Sequence, residues 1–266
     1  MIVGLIGAGN MASALSDGWT LADSGPDTLM FSDVDAERAR ALADRVGGQR
    51  AGSNRELVEN VDVAVLAVKP DALEPVAQDI RVTLDERRLP VASILAATSI
   101  AALERSLGPG TPILRLMPNV AAAVRAGTFC YASNPSLDDS TRRSLLDLFG
   151  LLGDLVPVEE RLFDAATALS GCGPAFFALV IEALTDAGVR EGLGNEQAAE
   201  LALSAMIGTG ELLRRGGGDA VLLRRKVTSP GGTTAAGLAA LEDHGVRAAF
   251  GAAVEAVVLR AAEMAR

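Results

Sequence analysis

Two short stretches of this 266-residue chain are equipped for chemistry, one near each end. Gly7-Ala8-Gly9-Asn10-Met11-Ala12 follows the apolar run Ile2 to Ile6 and opens a helical pattern. In that setting the spacing GxGxxA is a dinucleotide fingerprint. Gly7 allows a tight turn, Gly9 lets the backbone approach a pyrophosphate, and Ala12 lets helix pack closely on strand, while the helix N-terminus attracts phosphate charge. Near the other end, Val227-Thr228-Ser229-Pro230-Gly231-Gly232-Thr233-Thr234 joins two helical patterns. Its hydroxyls and consecutive N–H groups at a helix start form a receptor for a carboxylate. For a single threonine, Thr233 or Thr234, the plain alternative is a helix cap.

Other polar residues stand where strands end. Asp33 lies 26 positions after Gly7, where a carboxylate hydrogen-bonds the ribose 2′-hydroxyl and favours NAD over NADP. The neighbouring Ser32 could instead receive a phosphate, and Asp35 reads as the cap of the next helix. Val68-Lys69-Pro70 ends another strand and presents Lys69 at the cofactor edge; a solvated lysine is the alternative. Met117-Pro118-Asn119 ends a third and offers Asn119 over a nicotinamide. Ser170-Gly171-Cys172-Gly173-Pro174 is a small-residue loop that can accept a close ligand or a close helix.

These stretches need a scaffold, and the periodicities supply one. Residues 2–6, 28–32, 61–68, 91–95 and 112–116 read as strands buried on both faces, with helical patterns at 11–23, 35–46, 54–59, 71–80 and 100–107 between them. That alternation implies a doubly wound parallel sheet, to which 128–131 and 154–158 add strands around a helix at 138–149. After Val158 only helical patterns follow, at 159–168, 174–191, 195–215, 219–227, 233–243 and 246–265, with Asn195 as an expected N-cap. The expected division is therefore 1–158 for an α/β domain and 159–266 for an all-helical one.

Composition narrows the function. Two cysteines and one histidine cannot assemble a soft-ligand zinc site, so no metal is expected. A net charge of -10 repels polyphosphate, which argues against nucleic acid and anionic membrane as partners. No uninterrupted apolar run approaches the ~18 residues of a membrane span, so no transmembrane helix is expected. The first basic residue is Arg38, which speaks against a secretory signal and for the cytoplasm. Between Val246 and Met264 only Arg247, Glu255, Arg260 and Glu263 are charged, an apolar excess suited to burial against another chain or to a central helix of its own domain.

Taken together, GAGNMA at the start, AVKP at 67–70, RLMPN at 115–119, LSGCGPAFF at 169–177 and KVTSPGGTT at 226–234 make the chain resemble pyrroline-5-carboxylate reductases over essentially its whole length. The resemblance implies a Rossmann-like domain followed by a helical dimerisation domain, and NAD(P)H-dependent reduction of the cyclic imine 1-pyrroline-5-carboxylate to L-proline. It also implies self-association as a dimer or higher oligomer, with the active site completed at the interface. Carried over by motif, the pyrophosphate lies on Gly7, Ala8, Gly9, Asn10 and Met11, the adenosine side near Ser32, Asp33 and Asn54, and the nicotinamide side near Val68, Lys69, Pro70, Met117 and Asn119. The substrate carboxylate lies on Ser229, Gly231, Gly232 and Thr233, and Thr234 hydrogen-bonds the ring nitrogen as the catalytic residue. Val120-Ala121, Cys172, Phe176 and Arg225 depart from the family's usual Thr-Pro, serine, tyrosine and aspartate, which bears on substrate fit and rate.

Three other readings compete. A reductase of a related cyclic imine would share every motif. A 3-hydroxyacid dehydrogenase-like enzyme needs a general base, normally a lysine on the long helix of the second domain, and no lysine stands between Pro174 and Arg225. A non-catalytic nucleotide-binding regulator would have no need of the intact SPGGTT block.

Overall fold

Apolar strands that bury both faces form the centre of the sheet, and their order decides where a ligand can sit. The computed structural model describes residues 1–264. Its elements run β1 (Ile2–Ile6), α1 (Asn10–Thr20), β2 (Thr28–Ser32), α2 (Ala36–Val46), β3 (Gln49–Arg50), α3 (Asn54–Asn60), β4 (Val63–Leu66), α4 (Leu73–Arg87), β5 (Val91–Ser93), α5 (Ile100–Leu107), β6 (Ile113–Met117), β7 (Gly127–Ser133), α6 (Asp139–Gly150) and β8 (Gly153–Pro157). They form one eight-stranded sheet in the order β3-β2-β1-β4-β5-β6-β7-β8. Every pairing is parallel except β6 with β7. A parallel crossover needs a dozen or more residues, and only a short 3-10 turn at Val120–Val124 separates β6 from β7, so the chain must return antiparallel. The two-residue β3 was not expected; both its residues are polar and exposed, and they carry no apolar signal.

Each face of the sheet has its own core. Val3, Leu5, Val63, Val65, Leu114 and Leu116 pack with Leu15, Trp19 and Phe149 on one side. Ile6, Ala64, Leu66 and Ile113, the alternate residues of the same strands, pack with Leu57, Ile80 and Leu103 on the other. Helix ends are set by local chemistry: Asp35 accepts the Arg38 N–H, Ser53 the Glu56 N–H and Ser99 the Ala102 N–H, while Gly47 at φ 69° stops α2 in the left-handed conformation.

After β8 the described residues are helical: α7 (Phe163–Ser170), α8 (Gly173–Arg190), α9 (Asn195–Arg215), α10 (Ala220–Lys226), α11 (Thr233–Asp243) and α12 (Val246–Met264). The last residue of the helix expected at 246–265, Ala265, lies outside the described residues. Gly194, not Asn195, is the N-cap of α9, so that end has no side-chain cap. By contacts, residues 1–174 group with Val257 onward, and residues 175–256 form a second unit. One correction concerns membranes: the helical stretch Glu160–Arg190 contains an 18-residue window long and apolar enough to cross one, by length and composition alone. Counting unbroken apolar runs missed it because Thr167, Ser170 and the Gly171-Cys172-Gly173 turn interrupt the run without adding charge.

Candidate functional site

β1 sits where the sheet reverses its winding: β2 and β3 extend to one side of it, β4 to β8 to the other. A crevice must open outside the carboxyl ends of β1 and its neighbours at such a switch point. The pairing brings Ile6 level with Ser32 and with Leu66, so the residues following β1, β2 and β4 meet at one edge. There a cavity of about 380 Å³ is lined by Gly7, Gly9, Asp33, Asn54, Val68 and Lys69 among others.

The glycine turn divides its work by position. Gly7 has φ +100°, and a Cβ there would lie 2.6 Å from the Ala67 carbonyl oxygen, so only glycine is tolerated. At Gly9 a Cβ would meet nothing within 4 Å, which leaves the backbone open to a ligand group. Gly9 is also the N-cap of α1, and no side chain caps that end. Free N–H groups, positive helix dipole and open space coincide, so the turn suits the phosphates of a dinucleotide. Ala12 is wholly buried against the sheet.

Asp33 is fixed by two backbone donors: Ala8 N–H reaches one oxygen at 2.7 Å and Asp35 N–H the other at 2.9 Å. The carboxylate thereby holds the glycine turn against the end of β2. Ser32 is buried, and its hydroxyl donates to Asn54 Oδ1 at 2.8 Å, which leaves it unsuited to receive a phosphate. Asn54 in turn donates to Asp79 at 3.3 Å. Lys69 is exposed at the rim.

Not every anticipated residue reaches the cavity. Ala8 is buried, Asn10 faces solvent, and Met11 packs on the core. Pro70 opens a 3-10 turn behind the rim. Met117 is buried with Cys130 and Phe163, and the Asn119 side chain is largely spent on backbone groups of unit 1. Conversely, Val34, Arg38, Asp71, Ala72 and Asp79 line the cavity without having been singled out. Val34 stands two residues past the end of β2, the one signal that could have marked it, while Asp71 lies in the 3-10 turn five residues past β4.

In the helical unit, Ser229-Pro230-Gly231-Gly232 precedes α11. Gly231 takes φ +69°, Gly232 N–H bonds to Ser229 O at 3.1 Å, and a Cβ on Gly232 would lie 2.5 Å from Ser229 Oγ. Gly232 is the N-cap of α11 and no side chain caps that end. Thr233 and Thr234 are exposed. The turn therefore presents hydroxyls and amides together, the donor set a carboxylate requires. No group of His, Cys, Asp and Glu among the described residues could hold a metal ion.

Comparison with known proteins bears on both ends of the chain. Residues 160–264 match the family model for pyrroline-5-carboxylate reductase dimerisation, and residues 2–97 match that for NADP oxidoreductase, coenzyme F420-dependent. The pyrroline-5-carboxylate reductase of Corynebacterium melassecola is 35% identical over 266 residues, covering 99% of this chain and 98% of that protein. Among solved structures, the Plasmodium falciparum pyrroline carboxylate reductase with NADP bound superposes with a TM-score of 0.88 at 32% identity, covering 100% of this chain and 98% of that one. The Coxiella burnetii pyrroline-5-carboxylate reductase gives a TM-score of 0.90 at 31% identity, covering 99% and 98%.

Proposed function

The chain belongs to the pyrroline-5-carboxylate reductase family, and from that premise we infer how its own residues divide the work. It is an oxidoreductase that uses NAD(P)H to reduce the cyclic imine 1-pyrroline-5-carboxylate to L-proline, and it self-associates. The reading of the residues rests on one observation. A single chain carries a Gly9 turn open to a phosphate and an exposed Gly231–Thr234 turn whose donors suit a carboxylate.

NAD(P)H supplies the hydride when bound. The amides of Gly9, Asn10 and Met11 would hold its phosphates, with Gly7 and Ala8 N–H spent on Ser32 and Asp33 to shape the turn; Asp33 and Asn54 would meet the adenosine ribose, and Val68, Lys69 and the Met117–Asn119 turn would border the nicotinamide. Ser229 and the amides of Gly231 and Thr233 take the substrate carboxylate, while Gly232 N–H, bonded to Ser229 O, holds the turn in shape. Thr234 Oγ1 accepts a hydrogen bond from the protonated ring nitrogen and so keeps the imine in the iminium form, whose carbon is the better hydride acceptor. As hydride adds to that carbon, the C=N π electrons return to nitrogen, which keeps its proton as the amine of proline. Positioning and electrostatics then suffice, with no nucleophile and no metal.

The same reading divides the chain into 1–158 for the cofactor and 159–266 for substrate and dimerisation, with an active site completed by two interlocked chains. The apolar stretch Glu160–Arg190 falls inside the region matched for dimerisation, so it is read as interface rather than membrane span. The acidic charge supports a lack of nucleic-acid partners, and a cytoplasmic location remains part of the same proposal. Steady-state assays with pyrroline-5-carboxylate, run with NADH and with NADPH, are the test. Thr234→Ala is expected to lower kcat by roughly 10–100-fold, the scale of one lost transition-state hydrogen bond. Unchanged kinetics would remove Thr234 from the mechanism.

A further inference from the structure

Asn119 carries more hydrogen bonds than a residue at the mouth of a binding site needs. It ends the turn after β6 and is 7% exposed. Its Oδ1 accepts from Ala121 N–H at 3.2 Å, capping the 3-10 turn Val120–Val124, and from Thr128 N–H at 3.4 Å, in β7. Both acceptor sites of the amide oxygen are thereby used. Its Nδ2 donates to the carbonyl oxygen of Ser170 at 3.0 Å, a residue 51 positions further along and the last of α7.

Ser170 closes α7 and is followed by the two-residue turn Gly171-Cys172, which leads into α8 at Gly173. That turn lies against the carboxyl end of the sheet. Ser170 Oγ stands 3.3 Å from Cys130 Sγ in β7, and a Cβ on Gly171 would come within 3.7 Å of Met117 Cγ in β6. The two amides of the turn share one acceptor: Gly171 and Cys172 N–H both bond to the Thr167 carbonyl oxygen, at 2.9 and 3.0 Å. One side-chain amide therefore joins three backbone segments, the β6 exit, the β7 start and the α7 end, at the edge where the nicotinamide is assigned above.

We propose that Asn119 is a positioning residue that sets the end of α7 and the Gly171-Cys172 turn against the ends of β6 and β7, and so fixes the wall beside the hydride-transfer site, rather than a residue that binds cofactor. The inference rests on the nicotinamide lying at that edge. Asn119→Asp keeps the oxygen that caps Val120–Val124 but replaces the donor to Ser170 with a carboxylate oxygen that repels the carbonyl. Asn119→Ser keeps a capping hydroxyl and removes the donor without adding charge, and serves if the aspartate variant does not fold.

Three readouts decide it. Without cofactor, amide hydrogen exchange at Gly171 and Cys172 should quicken by roughly 10-fold in either variant, while β1 and β4 amides stay unchanged. The cofactor dissociation constant, read from reduced-nicotinamide fluorescence, should stay within about 3-fold of wild type, since no contact to the cofactor is lost. The kcat should fall, on the order of 100-fold for a displacement of about 1 Å, and the deuterium isotope effect from 4-deuterated cofactor should rise as hydride transfer becomes limiting. Cofactor affinity falling by the same factor as kcat would overturn the positioning role in favour of direct binding, and unchanged exchange with unchanged kcat would overturn it altogether. A wild type that does not turn over pyrroline-5-carboxylate would instead overturn the functional reading, leaving the exchange result to judge the loop by itself.

Discussion

The sheet-bearing half and the helical unit use apolar residues in opposite ways. In the first, Leu5, Leu66, Ile80 and Leu103 are at most 1% exposed, and two cores fill both faces of the sheet. Within 175–256, Leu179 is 63% exposed, Leu201 56%, Ile207 59% and Leu212 60%, and the buried residues include only small ones, Ala198, Ala202 and Thr185. Water meeting this much apolar side chain is unfavourable by about 25 cal/mol per Å². The difference teaches that the first half holds its own core, whereas the second is one side of a core that self-association completes.

Placing a charge in the helical unit should have the largest effect. Leu179→Asp costs a lone subunit little, because the position is open to solvent, yet within an assembly it buries an unpaired carboxylate. Loss of assembly with at least ~100-fold loss of activity is expected, followed by light scattering. A wild type that stays at 27.3 kDa with full activity on dilution would break the comparison outright.

In the sheet half the matching experiment is Leu103→Ala, which empties a wholly buried position. About 2–5 kcal/mol of stability should be lost in denaturant unfolding, with the assembly mass unchanged. A smaller loss accompanied by dissociation would mean that this half, too, depends on its partner.

A subtler change tests the cofactor edge. Asp33→Ser removes a carboxylate that repels a 2′-phosphate, so the ratio of kcat/KM for NADPH over NADH should rise roughly 10-fold. Part of the activity with both cofactors should fall as well, because Asp33 no longer accepts the Ala8 N–H. A wild type that strongly prefers NADPH would remove Asp33 from cofactor choice.

The smallest effect is expected at Asp138, the cap of α6. Hydrogen bonds from Ser140 and Thr141 hold its carboxyl well below the ordinary carboxylate range. A group whose folded pKa is depressed stabilises above its unfolded value, about 4, and loses that contribution as pH falls towards the folded value. Asp138→Ala should lower Tm by roughly 2–4 °C at about pH 7, with the gap to wild type narrowing at about pH 2.5. A gap that persists in acid would mean the carboxylate is not what holds the helix end.

Local rules were enough for much of this protein. β1 and β2 begin and end where alternation of apolar and helical patterns puts them, because strands buried on both faces write continuous apolar runs. The tight turn at Gly7 and the close packing of Ala12 were legible because each answers a steric demand that only a small residue meets, whereas at Gly9 the space is left open. Asp35 was legible as a cap for the same local reason.

Tertiary structure decided what depends on residues distant along the chain. Ser32 and Asn119 are polar residues in the right places by position, yet Ser32 is spent on Asn54, and Asn119 on Ala121 and Ser170. No periodicity encodes a hydrogen bond between residues 51 apart. Arg38 and Asp79 likewise reach the cavity only because α2 and α4 pack beside the switch point. Sequence patterning fixes which side chains must leave water, since that follows from their chemistry. Which partner a buried polar group finds follows from how the elements pack, and there the structure alone could answer.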